Sequence, residues 1–288
     1  MDRATLVALV AGVLQGIFEW LPISSEGNIT VFLTALGSSP EAAVQFSLFL
    51  HVGTAISATA YYRDELREVL AGLPAWRPDS AFGDEHATLS FLAVATLATG
   101  VVGIAALTTL EAAMSALTGG AFVALVGVLL VGTGVLLRVA DSGERERSER
   151  DPRQSKSGGV EFGGRDAPNL VDAVLVGALQ GLAILPGVSR SGTTASALLF
   201  RGHDGPSSFR LSFLLSIPAA LGAGALTLAT GGVPGVAPVP AVLALASAAV
   251  VGYLTIDALM RVVERVPFWG VCIGLGGLAI LGGIALVV

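Results

Sequence analysis

The stretch LQGIFEWLPISSEGN at residues 14–28 comes back as LQGLAILPGVSRSGT at residues 179–193. LQG recurs with a spacing of 165 residues and LP with a spacing of 164. Each copy includes the end of an apolar segment, residues 6–18 or 171–184, that is too short for a bilayer crossing of about 20 helical residues. Ser, Gly and one or two charged or amide residues follow directly. Loop at membrane depth is tolerated only where protein buries it or where it lines an aqueous cavity. The two copies are therefore expected to dip into a membrane from opposite faces and to meet near its middle.

Composition supplies the membrane. The 288-residue chain is 53% hydrophobic and 13% charged, with a mean hydropathy of +0.77, whereas soluble domains carry about 25% charge. The net charge of −6 lies in a few short blocks, as loops would place it, and no nucleic-acid partner is expected. The 37 glycines suit close helix packing in lipid. The single cysteine, Cys272, excludes an intramolecular disulfide or a cysteine-based metal cluster. The N-terminal MDRATLVALVAGVLQG lacks a convincing small-residue cleavage site and reads as mature structure.

Outward from the first copy, full spans are predicted at residues 43–62, 87–107 and 118–137; beyond the second, at 209–230, 239–260 and 269–288. A shorter apolar piece fills residues 195–200. The echo also exceeds the motif, since QFSLFLHVG from Gln45 aligns at the same offset with RLSFLLSIP from Arg210, setting His51 opposite Ser216. Three crossings per half is an odd number, so the halves enter with opposite orientation, an inverted repeat. The expected fold is an all-α polytopic membrane protein with about six transmembrane helices plus re-entrant helix hairpins.

Three segments are expected: a first repeat at 1–140, a charged flexible linker at 141–167 and a second repeat at 168–288. The linker, with DSGERERSERDPRQSKSGG, is too polar for a core; its alternating Glu and Arg also suit a helical extension of the preceding span. Arg63, Arg67, the linker arginines, Arg201, Arg210, Arg261 and Arg265 fall on one face if the first full span runs inward. By the basic-residue bias that face is cytoplasmic and both termini lie outside, in a multi-pass plasma-membrane protein.

Glu19 stands four residues after Gln15, on the same helical face. A carboxylate near hydrocarbon marks function by default, against the alternative that it solvates a helix end beside an interfacial Trp20. Glu26 follows Ser24 and Ser25. In the second copy Arg190 sits between Ser189 and Ser191, ahead of Thr193 and Thr194. Its planar fork matches phosphate oxygens, and the N–H groups leading into a helix add an anion nest; an ion pair with Glu19 or contact with headgroups are the structural alternatives. A composite site is the expectation: Arg190 holds a phosphate, Ser25 approaches it, and Glu19 takes a proton or joins Glu26 in holding a divalent cation, Mg²⁺ or Ca²⁺. His51 is a candidate base or a packing residue, and the loop residues His86 and His203 are not favoured. Tyr61, Tyr62, Trp76, Phe268 and Trp269 read as bilayer-interface anchors.

Gln15xxxGlu19 with LPISSEGN, FLHVGTAISATAYYRDEL and PGVSRSGTT resemble, over almost the whole chain, the undecaprenyl-pyrophosphate phosphatase family, the bacitracin-resistance membrane phosphatases. The resemblance implies six spans with re-entrant helix pairs and hydrolysis of a polyprenyl diphosphate to the monophosphate and phosphate, which recycles a lipid carrier. It implies catalytic roles for Glu19, Ser25 and Arg190, and substrate-side roles for Gln15, Ser189, Ser191 and Thr194; Ser24, Glu26, Asn28 and Thr193, in the same two motifs, are further candidate substrate contacts. The family commonly has His where this chain has Asn28, and an amide cannot carry a proton at neutral pH; either that His is dispensable, or Glu19, Glu26 or His51 supplies the base. The expected partners are the lipid diphosphate and membrane lipids, and a homodimer is compatible. The rival readings are a transporter or flippase for an anionic or polyprenyl phosphate lipid, and an intramembrane serine protease, the latter disfavoured for want of a Ser-His pair.

Overall fold

The computed structural model describes residues 2–83, 85–114, 117, 119–150, 167–229, 236–263 and 265–286, without the side chains of 111–114 and 144–150. Its regular structure is helical throughout these residues. The first half contains α1 (Arg3–Phe18), α2 (Ser25–Ala35), α3 (Pro40–Tyr61), α4 (Arg63–Ala71), α5 (Ala87–Met114) and α6 (Gly119–Arg150). The second contains α7 (Leu170–Leu182), α8 (Arg190–Phe200), α9 (Gly205–Ala229), α10 (Pro238–Val263) and α11 (Phe268–Ala285). Six of these, α3, α5, α6, α9, α10 and α11, are long and apolar enough to cross a membrane.

Pairs α1–α2 and α7–α8 are the short hairpins. At 1.5 Å per residue α1 reaches about 24 Å and α7 about 20 Å, less than the hydrocarbon thickness of about 30 Å. Each ends in the repeated motif, where a serine cap starts the returning helix: Ser24 for α2, Ser189 for α8. The two returning helices begin 165 residues apart and have the same length, 11 residues.

The repeats exchange packing partners, as an inverted arrangement requires. Helix α1 packs along α10 and α7 along α5, while α3 faces α9 and α6 faces α11. Small residues set the exchanged contacts. A Cβ on Gly12 would stand 2.2 Å from the Ala244 carbonyl oxygen, and one on Gly177, its counterpart in α7, 2.3 Å from that of Ala95. Backbone thus meets backbone at equivalent places in both halves.

The symmetry breaks where it matters for access. Helices α3 and α10 close on each other at Gly53, whose added Cβ would lie 2.7 Å from the Leu245 carbonyl oxygen, and the Ser57 hydroxyl donates to the Ala249 carbonyl at 2.6 Å. The position matching Gly53 is Pro218, inside α9. There α9 and α5 part around a groove, and Gly100 and Gly222 on its walls have open space where a Cβ would go.

Several details differ from expectation. Helix α6 continues through Arg150, so the first part of the charged segment extends the span rather than forming a loose linker; residues 151–166 lie outside the described residues. Trp20 is not an interfacial ring: it is fully buried, donates to the Gly252 carbonyl at 3.1 Å and packs against Phe213. His203 is buried too, 3.4 Å from Asp172. Asp172 also accepts from Arg201 Nε at 2.5 Å and closes a capping box with Asn169, tying the open end of the second hairpin.

Candidate active site

Glu19 caps the C-terminus of α1, where exposed carbonyls disfavour a negative charge. Its 5% exposure makes partners obligatory, because an unpaired buried charge is very costly. They come from four helices. Arg190 Nη2 donates to Oε1 in an ion pair spanning the two repeats. The Gln15 amide, one turn back, donates to Oε2 at 2.7 Å, and the Ser25 hydroxyl donates to the same oxygen at 2.9 Å. His51 Nε2 from α3 lies 3.4 Å from it. His51 Nδ1 faces the Ser47 carbonyl oxygen at 2.8 Å, so that nitrogen carries hydrogen and Nε2 is the one available for proton exchange.

The two motif tips interlock. Ser24 adopts φ +60°, ψ +82°, a left-handed conformation costing a non-glycine residue about 1–2 kcal/mol. That turn aims its hydroxyl oxygen at two amides, Gly27 N at 3.2 Å and, across the repeat boundary, Gly187 N at 3.1 Å. Gly187 itself has φ +101°, and a Cβ there would stand 2.3 Å from the Val126 carbonyl oxygen, so glycine is required twice over. Ser25 and Arg190 then occupy the first turns of α2 and α8. Both helices thus begin at the same cavity, bringing two positive dipole ends to it.

That cavity, about 540 Å³, has a polar floor of Glu19, Ser24, Ser25, Glu26, His51 and Arg190. Ser189 and Ser191 also border it; the walls above, from α5, α7 and α9, are mostly apolar, with Thr96, Thr99 and Gln180 among them. Among the described residues, Glu26 Oε1 and Arg190 Nη1 of the floor are buried without a partner, as is Gln180 Oε1 of the wall. A donor and an acceptor left open beside one cavity suit a ligand that carries phosphate oxygens together with a cation.

Four expected substrate contacts stand behind this wall instead. Gln15 supports Glu19, and Thr194 accepts or donates at 2.6 Å with Ser212 while bonding the Arg190 carbonyl at 2.8 Å. Thr193 is buried in the first turn of α8. Asn28 Nδ2 donates to the carbonyls of Ile23 at 2.7 Å and Ser24 at 3.0 Å, locking the strained turn. Asn28→Asp places a carboxylate against those two oxygens and is expected to cost about 1–3 kcal/mol, read as a lower thermal midpoint in detergent. An unchanged midpoint would show that the turn holds without the amide. Residues that sequence reading does not single out include Ser47, Thr54, Thr133, Asp172 and Ser212, all buried polar groups inside apolar helices.

A profile described as "Bacitracin resistance protein BacA" matches residues 8–278. A protein of Haloarcula marismortui named undecaprenyl-diphosphatase is 54% identical over 282 residues, covering 97% of each chain. One of the same name from Methanopyrus kandleri is 39% identical over 280 residues, 95% of this chain and 94% of the relative. A third, from Geobacter sulfurreducens, is 35% identical over 266 residues, covering 90% and 89%. With the match spanning both hairpins and all six long helices, the chain belongs to the bacitracin resistance protein BacA family.

Proposed function

We propose that this protein is a membrane phosphatase that hydrolyses an undecaprenyl-type diphosphate to the monophosphate and inorganic phosphate, returning a lipid carrier to use. The observation that carries this reading is one carboxylate, Glu19, bonded at once to a guanidinium and a serine hydroxyl at the floor of an apolar groove. The relatives named undecaprenyl-diphosphatase support the same substrate.

In this reading the isoprenoid tail lies between α5 and α9 and the diphosphate reaches the floor. Arg190 and the starts of α2 and α8 neutralise the phosphate oxygens, where charge gathers in phosphoryl transfer. Glu19 accepts the Ser25 proton as Ser25 Oγ bonds the terminal phosphorus, and the bond to the bridging oxygen breaks to release polyprenyl phosphate. Water then cleaves the phosphoserine to free phosphate. His51 Nε2, beside the same Glu19 oxygen, relays the proton and supplies the exchange that Asn28 cannot. A divalent cation fits the open Glu26 oxygen, since Mg²⁺ is commonly held by one or two carboxylates plus substrate phosphates. It would supply further charge neutralisation.

The groove extends along α5 to Ile104 and along α9 to Ala229, away from the ends bearing Arg63, Arg201 and Arg210. With those arginines cytoplasmic, the site opens to the outer side of the plasma membrane, where both termini also lie. A homodimer is compatible with this reading, which does not depend on it.

Purified protein in detergent should release phosphate from a polyprenyl diphosphate without an energy source; transfer of intact lipid across vesicles with no release would overturn the assignment. The groove gives a sharper result. Gly222→Phe projects a ring into open space on its wall and displaces two or three CH₂ contacts worth about 0.8 kcal/mol each. Turnover of a long-chain diphosphate should fall roughly 30-fold while a short soluble diphosphate is processed as before. Equal loss on both would place the tail elsewhere.

A further inference from the structure

The loop that presents Arg190 rests on a residue from the other repeat. Thr133 lies in α6 with 4% exposure, and its hydroxyl donates to the Gly187 carbonyl at 3.1 Å while accepting the Ser189 N–H at 3.1 Å. A hydroxyl has one hydrogen and two lone pairs, so a single group satisfies the backbone on both sides of Val188. The two peptide planes flanking Val188 are thereby fixed, and Ser189, held by that bond, in turn caps α8, the helix that Arg190 begins, through Gly192 N at 3.2 Å. The other repeat shows the same construction in weaker form: Cys272 of α11 donates its thiol to the carbonyl of Pro22, which stands two residues before the capping Ser24 as Gly187 does before Ser189, at 3.1 Å. Each motif loop is thus propped by the last span of the opposite half.

We propose that Thr133 is a positioning residue for Arg190, setting the height and direction of the guanidinium that faces the phosphate. The proposal rests on Arg190 binding the diphosphate, as argued above. Within a site of this kind a misplacement of about 1 Å costs on the order of 10²-fold, and supporting partners of a functional group commonly contribute about 10–100-fold.

The test compares Thr133→Val, nearly the same shape without the hydroxyl, with Thr133→Ser, which keeps it. Ser57→Ala serves as control, because Ser57 is an equally buried hydroxyl bonded to a backbone carbonyl at the closed α3–α10 contact. Thr133→Val should lower kcat/KM for the lipid diphosphate by about 10–100-fold and weaken competitive inhibition by inorganic pyrophosphate to a similar degree. Thr133→Ser should stay within about threefold of wild type on both readouts. Ser57→Ala should lower the thermal midpoint yet keep kcat/KM. If Thr133→Val does not fold, Thr133→Cys replaces it, a weaker donor expected to fall between Ser and Val. Wild-type kcat/KM in Thr133→Val, or equal impairment of Thr133→Ser, overturns the proposal. Should Arg190→Ala also retain activity, it is the assignment of Arg190 that fails.

Discussion

Arg190→Ala and Glu19→Gln are each expected to reduce phosphate release by about 10²–10³-fold or more, the range for losing one preorganised charge-stabilising group. They should also destabilise the fold, because each leaves the other member of a buried pair without its counter-charge. Side-chain exposure is 15% for Arg190 and 4% for Glu19, and breaking a buried pair from one side costs about 3–5 kcal/mol. Those two losses separate in the double variant. Removing both charges relieves the orphaned partner, so the thermal midpoint of Glu19→Gln/Arg190→Ala should rise above that of either single variant while turnover stays lost. Arg190→Lys keeps a charge but loses the planar fork, and should recover stability more than activity. The measurements are phosphate release from a lipid diphosphate and thermal unfolding in the same detergent. Wild-type turnover in either single variant would remove the site from the chemistry and leave the ion pair a structural brace between repeats.

That brace explains what could be read from residues alone. Glu19 and Arg190 are legible because charge is conspicuous in apolar sequence, and the repeated LQG and LP place both at matching turns. Segment length separates spans from re-entrant pieces, so α1 and α7 were recognisable as too short. The bond between residues 171 positions apart was an alternative rather than a conclusion, since no spacing rule relates two hairpin tips. Thr133 was invisible for another reason: one hydroxyl in a span is ordinary, and its function lies in facing a loop of the other half. The fates of Asn28 and Trp20 were similarly set by tertiary contacts. An amide at a motif position can contact substrate or hold a turn, and only the carbonyls of Ile23 and Ser24 decide between them. The backbone of α6 runs on to Arg150, following the helical alternative that the alternating Glu and Arg allow over a composition that suits a loose linker.

Ser25→Ala should lower turnover by at least the 10²–10⁴-fold typical of losing a proton-transfer step, and should do so in kcat, with little change in KM. Ser25 is in the first turn of α2, where the dipole favours the developing negative charge, and its hydroxyl already points its hydrogen at Glu19 Oε2 at 2.9 Å. The proposed nucleophile and base are therefore in contact before substrate arrives, the arrangement that serine activation needs. Because Arg190 holds the opposite oxygen of the same carboxylate, Glu19 is oriented with Oε2 toward the Ser25 hydroxyl whose proton it would take. If Ser25 forms the bond to phosphorus, acid quenching during turnover traps a phosphoserine in wild type and none in Ser25→Ala, while Glu19→Gln forms it slowly. If water attacks instead, Glu19 remains the base and Ser25 only orients it. Ser25→Ala would then retain turnover within about tenfold, no phosphoserine would be trapped, and Glu19→Gln would still be inactive. The quench thus distinguishes two mechanisms that share every contact at the floor of the groove, and the ratio of the Ser25→Ala and Glu19→Gln rates gives the same answer independently.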